Sequence, residues 1–505
     1  MTGIGAVAAW TGPALVVAVV GHVMAGGMEA PLLVLAALAA PLLGLLLAAP
    51  EAESVPRGRI AFGIVLVTAA CVLGAGFRVI TDLGRVLGVE PHATLGASAA
   101  LVFLATVWPG RRRVAASALG LGAAALLIVT VILGVSAGAP PWTVWSRLAS
   151  RGAFELGPRS AWVQEGALVL EPTTLTFTEP HRVTAVTGGV YRVAERDRTP
   201  ITLREWRLSA GDALALRPGD QLSIPAHARV RFETGKRVPG APLSGVAWAD
   251  GRGASTAGLL AGWLGLTVTL TGGALVLVRP VASLSRAAVL LAPVTVLAVV
   301  LAAALWGVYA VDTAPELSIG GPPAASLAGL PAVLAENPWR VRLLGATVVA
   351  LGSLLVASAS ALRQRLVDLA EIAAGCPGVW ARRPVIRIVA WMIVVGAAAA
   401  GSTWIADGWW LFLQGAGLAA ASFLGPLVAT RGGPGARHAR VAGALAGAGL
   451  FAVITAAASW LAPLPTSAAA VFTQYPALVA VPTAWLVAAV ARAVGREKVA
   501  AARRR

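Results

Sequence analysis

The chain has 505 residues, 57% of them hydrophobic and only 12% charged, with a mean hydropathy of +0.79. Soluble globular proteins carry about 25% charged residues, so this composition excludes that class and indicates a polytopic membrane protein. The net charge of +17 raises the question of nucleic acid, but the arginines fall in short loops without the interleaved aromatics of a binding platform, which argues against that partner.

A bilayer crossing needs about 20 mostly apolar residues. Five such runs come first, at 5–25, 31–49, 60–77, 92–109 and 114–137. Pro13, Pro31 and Pro41 interrupt the first two, which prolines can do in membrane helices. Residues Met1 to Gly12 lack the basic region of a cleavable signal, so the first run is expected to be a helix of the mature protein. His22 and His92 both fall near the same end of their helices. A haem-binding pair is geometrically conceivable there, but solvated helix-end histidines are the simpler reading, and no cofactor or metal is expected. Cys71 and Cys376 are too few for a disulfide framework.

Residues 138–255 form a hydrophilic island in which the period changes from helical to two. Short β-rich runs, Ala167–Leu170, Thr174–Phe177, Val190–Val193 and Val230–Phe232, are separated by Pro, Gly and charged residues, which predicts an all-β sandwich or barrel of seven or eight strands. Gly211-Asp212-Ala213-Leu214-Ala215-Leu216 is followed eight residues later by Gly219-Asp220-Gln221-Leu222-Ser223-Ile224. Each Gly-Asp starts a turn, and the alternation sends Leu214, Leu216, Leu222 and Ile224 inward, as in two adjacent strands of one sheet. Gly138-Ala139-Pro140-Pro141 reads as a rigid exit from the membrane, with Trp142 and Trp145 as interfacial anchors. The glycine-rich stretch 235–255 reads as a loose return.

Gly219-Asp220, Pro225, His227 and Val230 resemble the second conserved motif of the cupin family, which implies a β-barrel. Val230 stands where that family's metal-binding histidine would be, and His227 where a glycine is usual. The resemblance therefore implies fold and not metal chemistry.

Seven apolar runs follow, at 256–278, 287–311, 342–362, 386–404, 409–429, 440–462 and 476–493. Gly258 with Gly262, and Gly443 with Gly447, have the spacing that permits close helix approach. Gln414 is the main polar residue of the run at 409–429. Between the runs, 363–384 has Leu366, Val367, Leu369 and Ile372 interleaved with Arg363, Arg365, Asp368 and Glu371, which predicts an amphipathic helix lying on the membrane before Cys376-Pro377-Gly378.

Alternating the loops between sides puts 21 lysines and arginines in one set: Arg57, Arg59, Arg111–Arg113, Arg279, Arg286, Arg363, Arg365, Arg382, Arg383, Arg387, Arg431, Arg437, Arg440, and a tail with Arg492, Arg496, Lys498 and Arg503–Arg505. Short loops of the other set hold four, Arg78, Arg85, Arg340 and Arg342. By the positive-inside rule both termini are expected in the cytoplasm of a plasma-membrane protein, with the island extracytoplasmic. The expected organisation is a membrane domain of five helices (1–137), an extracytoplasmic β-domain (138–255) and a membrane domain of seven helices with a basic tail (256–505).

The chain carries no P-loop, dinucleotide fingerprint, His-Glu-x-x-His or Cys-x-x-Cys. The outer loops collect Glu29, Asp82, Glu90, Asp312, Glu316, Glu336 and Asp407 near Arg78, Arg85, Arg340 and Arg342. An enzyme of lipid-linked precursors needs a carboxylate base and cations for phosphate at this depth, which makes Asp82, Arg85 and Asp407 the candidate catalytic residues. Three functions fit: a scaffold or assembly subunit whose β-domain binds an envelope protein or polymer, such an enzyme, and a component of a transporter or exporter. Lipid is a partner in each. The lack of mid-helix carboxylates weighs against an ion-coupled carrier.

Overall fold

The computed structural model describes residues 7–26, 29–48, 59–107, 111–158, 160–169, 172–195, 203–250, 256–277, 286–319, 324–334, 339–374, 384–405, 407–430, 436–461 and 474–504. The first helices are α1 (Pro13–Ala25), α2 (Glu29–Ala48), α3 (Arg59–Val86), α4 (Pro91–Val107) and α5 (Arg111–Ser136); α6 (Pro141–Ser150) and α7 (Gly245–Asp250) flank the β-region. Beyond it run α8 (Thr256–Leu277), α9 (Arg286–Thr313), α10 (Ala324–Leu334), α11 (Trp339–Ala374), α12 (Pro384–Trp404), α13 (Gly408–Ala429), α14 (Ala436–Leu461) and α15 (Ala477–Arg504). Nine described helices, α3, α5, α8, α9 and α11 to α15, are long and apolar enough to cross a membrane. The chain is an integral multi-pass membrane protein.

Twelve spans are expected from the sequence; at the other three, α1, α2 and α4, the described apolar segments are Pro13–Ala25, Ala30–Gly44 and Pro91–Val107, and α2 itself runs the 20 residues Glu29–Ala48. Pro13 starts α1 rather than interrupting it, because a proline at the first helical position loses no hydrogen bond. That helix is buried along nearly its whole length. Gly307 of α9 lets it approach closely, since a Cβ there would stand 2.7 Å from the Val23 Cβ.

Two further departures have the same origin. Residues 363–374 do not form a separate surface helix but continue α11, a single helix of 36 residues. Arg363 and Arg365 are buried within it, because backbone carbonyls of neighbouring helices receive their guanidiniums. The segment between α9 and α11, read from sequence as a loop, contains the apolar α10, whose Ser326 carbonyl accepts from Trp306 Nε1 at 3.4 Å. Gly443 and Gly447 act as their spacing predicts: a Cβ would fall 2.7 Å from the Ala484 carbonyl oxygen at the first and 2.0 Å from that of Ala421 at the second. Gly262 meets nothing within 4 Å.

The β-region comprises β1 (Ala167–Leu168), β2 (Thr173–Thr176), β3 (His181–Ala185), β4 (Gly189–Ala194), β5 (Leu203–Leu208), β6 (Ala213–Leu216), β7 (Gln221–Ile224) and β8 (Arg229–Arg231). They pair antiparallel in two sheets, ordered β1-β8-β3-β6 and β2-β7-β4-β5, the order of an eight-stranded jelly roll, an architecture that cupins share with capsid and lectin domains. β3 and β5 were not among the runs singled out in the sequence. Leu214, Leu216, Leu222 and Ile224 all point into the core. The Gly-Asp repeat does not, however, build two neighbours of one sheet. The turn at Arg217–Asp220, where Gly219 takes φ +95 and the Asp220 carboxylate accepts from the Arg217 amide at 2.8 Å, carries the chain from one sheet to the facing one.

The interior is filled with side chains: Trp162 stacks on Phe232 at 4.9 Å, and Phe177 packs against His181 at 5.0 Å. Val230 is buried in that core. His227 has φ +64, the only described non-glycine residue with positive φ, which is the conformation that favours a glycine at this position of the cupin-like motif.

The exit and return also differ from expectation. Both are helical and clamped together: Gly245 of α7 lies so close to α6 that a Cβ would stand 1.7 Å from the Leu148 carbonyl oxygen. Trp145 meets Trp248 edge-on at 5.1 Å, and Trp248 Nε1 donates to the Met24 carbonyl at the end of α1. Trp142 remains 74% exposed, whereas Trp248 is buried, so one tryptophan of the pair of helices faces outward and another locks the jelly roll to the membrane core.

Candidate functional site

The helical register of α3 brings Arg78, Asp82 and Arg85 to one face, since residues three and four apart are neighbours. Arg78 Nε donates to Asp82 Oδ2 at 3.0 Å and Arg85 Nη1 stands 3.5 Å from Asp82 Oδ1. The Arg78 and Asp82 side chains are almost wholly buried, while that of Arg85 is 30% exposed. These residues, expected in an outer loop, occupy the last two turns of the span: a paired arginine and aspartate can extend a membrane helix past its apolar segment where single charges could not.

Asp407 plays a different part. Its carboxylate caps α13, accepting from the Trp409 amide at 2.9 Å. The next residue, Gly408, sits where a Cβ would lie 3.1 Å from the Ala75 carbonyl oxygen and 3.4 Å from Arg78 Cβ. The candidate residues therefore lie on two elements that meet, but Asp82 is engaged by two guanidiniums and Asp407 by a helix terminus. An aspartate held in this way is better suited to fixing helices than to accepting a substrate proton.

The other predicted acids separate into distinct settings. Asp312, at the end of α9, accepts from Arg147 Nε at 3.1 Å and pairs with the same guanidinium through Nη2, while Arg151 Nη1 donates to the Asp312 carbonyl at 2.8 Å. Asp312 thus ties α6 to the membrane helices. The predicted Arg340, at the start of α11, pairs at 3.5 Å with Glu165, an acid just before β1 that lies outside the predicted set. Glu90 caps α4 through the Ala93 amide at 2.6 Å, and the amides of Ala93 and His92 hold its carboxyl below the usual range. The Glu29 side chain and Glu336 lie outside the described residues. His22 is accounted for by the Ala18 carbonyl at 2.9 Å and an edge contact with Trp409 at 5.8 Å. Gln414 accepts from Thr455 at 3.2 Å, joining α13 to α14.

Glu316 is the exception. It sits in a 3-10 turn after α9, is only 1% exposed, and leaves Oε1 buried without a hydrogen-bond partner among the described residues. Burial pushes its carboxyl above the ordinary value, against opposing contributions from the Ser160 hydroxyl and Arg151. Glu316 lines a cavity of about 190 Å³ between the jelly roll and the membrane helices, with Glu165, Trp162 and Arg229 on the β-side and Leu87, Leu344 and Arg340 on the helix side. Sequence reasoning placed Glu316 among seven loop acids and did not identify the cavity. A legible signal was the set Ala325, Ala328, Gly329 and Ala332, small residues on one face of α10 that line it.

At the far end of the membrane region, arginines meet carbonyls. Arg363 Nη1 donates to the Thr106 carbonyl near the end of α4, Arg365 Nε to Val276 near the end of α8 at 2.9 Å, and Arg492 Nη1 to Ala429 at the end of α13 at 2.9 Å. Arg440 bonds both the hydroxyl and the carbonyl of Thr430, at 2.8 and 3.2 Å. Each supplies a donor to a helix C-terminus whose last carbonyls lack helical partners.

Among the described residues no three His, Cys, Asp or Glu side chains converge on a point where a metal could sit. No protein-family profile matches the chain, and no curated protein matches it.

Proposed function

We propose that this protein is a scaffold or assembly subunit of the cell envelope, with both termini cytoplasmic in the plasma membrane, whose extracytoplasmic jelly roll binds a protein or polymer partner. The observation that carries the reading is the contrast between the two sheets. The β1–β8 edge region is seated on the helices through Glu165–Arg340 and the cavity wall. The other sheet ends at β5, an edge strand of six residues that pairs on one side with β4. Trp206 stands opposite Tyr191 on the inner face yet is 40% exposed because the sheet stops there, and Arg204, Glu205 and Arg207 beside it are exposed. An edge strand that, among the described residues, pairs only with β4 and carries an exposed aromatic is suited to adding an extended strand of a partner. The arginine asymmetry of the sequence supports the orientation.

The test is a photo-crosslinking residue at Trp206 in the full chain in its native membrane, with a second at Trp142 as control. A discrete adduct at 206 and none at 142 is the expected result. Equal or absent crosslinking at both overturns the binding reading. Separately, a cysteine at Thr187, an exposed turn residue, is expected to react with an impermeant thiol reagent in intact cells; protection there overturns the orientation.

A further inference from the structure

We infer that the cavity between the jelly roll and the membrane helices is a binding site for an amphiphile with an anionic head and an apolar tail, that is, a single anionic membrane lipid. Three features point there. The first is level. Trp339, 53% exposed, opens the spanning helix α11, and Arg342 lies over its ring at 5.0 Å, the arrangement of a headgroup-depth anchor. Arg340, between them in sequence, lines the cavity.

The second is the division of the lining. Arg340 and Arg229 supply cations, while Val86, Leu87, Leu344 and the Ala325–Ala332 face of α10 supply an apolar wall. Ala325, Ala328 and Ala332 keep this face of α10 low, with Leu317 packed over Gly329, and the apolar wall so formed can take an acyl chain. At about 190 Å³ the space exceeds what one or two ordered waters need, roughly 10–15 Å³ each.

The third is the pairing of the carboxylates. Glu316 is buried and, among the described residues, its Oε1 has no hydrogen-bond partner, which leaves a polar group of the lining open to a ligand. Glu165 is already paired with Arg340, but the Arg340 and Glu165 side chains are 38% and 58% exposed. Such a screened pair is weak and exchanges readily for a better-placed anion. Once that pair opens, the Arg340 guanidinium stands with Arg229 in the lining to receive a negative head.

The experiment uses the purified full chain in a mild neutral detergent, offered dioleoylphosphatidylglycerol, dioleoylphosphatidylcholine or inorganic phosphate, with bound molecules read by native mass spectrometry. One phosphatidylglycerol is expected to be retained in preference to phosphatidylcholine. Ala332→Phe, which fills the groove, and Arg340→Gln, which removes the headgroup cation, are each expected to lower its retention about tenfold, as loss of a close charge pair or of the pocket does. Arg182→Gln, an exposed residue of β3 outside the lining, is expected to change nothing. Arg340→Gln keeps the test open if Ala332→Phe fails to fold. Equal retention of the two lipids, retention unchanged in both cavity variants, or displacement of phosphatidylglycerol by inorganic phosphate alone would overturn the assignment.

Discussion

Arginine does opposite work at the two ends of the membrane region. At the end that carries the jelly roll, guanidiniums pair with carboxylates, Arg78 and Arg85 with Asp82, Arg147 with Asp312, Arg340 with Glu165, although Arg151 also donates to the Asp312 carbonyl. At the far end Arg363, Arg365, Arg440 and Arg492 donate to helix-terminal carbonyls. A guanidinium bound to a carboxylate has its charge cancelled, whereas one bound to a carbonyl keeps it. The first arrangement ties α6 and the β-region to the helices through Arg147–Asp312 and Glu165–Arg340 and neutralises charge within α3 through Asp82. The second supplies donors to helix ends on the side where the sequence concentrates its arginines.

The largest break in this comparison should come at Asp82. Removing one partner of a buried pair leaves an uncompensated charge and costs about 3–5 kcal/mol, whereas replacing both by apolar residues is close to neutral. Asp82→Asn is therefore expected to lower the thermal midpoint of the purified protein strongly, and Arg78→Met with Asp82→Leu to recover most of the loss. If the double variant were as unstable as the single, the pair would not be the source of the effect.

A smaller loss is expected at the far end. Arg365→Met leaves the Val276 carbonyl without this donor, and an unsatisfied buried polar group costs about 1–3 kcal/mol. Hydrogen–deuterium exchange should rise in the last turns of α8 with the β-region unaffected; exchange that rose equally in both would argue against a local cap.

The finest distinction uses pH. Because burial raises the Glu316 carboxyl above its usual value of 4.5, the folded state keeps a proton that the unfolded chain has already lost. Stability is then full below that value and falls as pH rises through the raised one. Glu316→Gln should flatten this fall, measured as the thermal midpoint across that window. An unchanged slope would place the titration elsewhere.

Much of this was legible in the residues. The period-two runs and the inward Leu214, Leu216, Leu222 and Ile224 announced a β-domain, and Gly443 with Gly447 announced a close helix contact, because both depend on neighbours in sequence. The same local reading failed at Arg78–Arg85 and at Arg363–Arg365. There hydropathy ended the span, while partners at Asp82, Thr106 and Val276 let the helix continue. The jelly-roll order escaped it too, since a Gly-Asp turn looks alike whether it joins strands within one sheet or across two.

The sequence by itself determined that the chain lives in a membrane, that a β-domain interrupts its helices, and on which set of loops the arginines lie, for these follow from composition and short-range periodicity. The tertiary structure alone decided which carboxylates are caps, which are latches, and that Glu316 borders a cavity. Those distinctions depend on groups far apart in the chain meeting at a few ångströms, which no local pattern encodes.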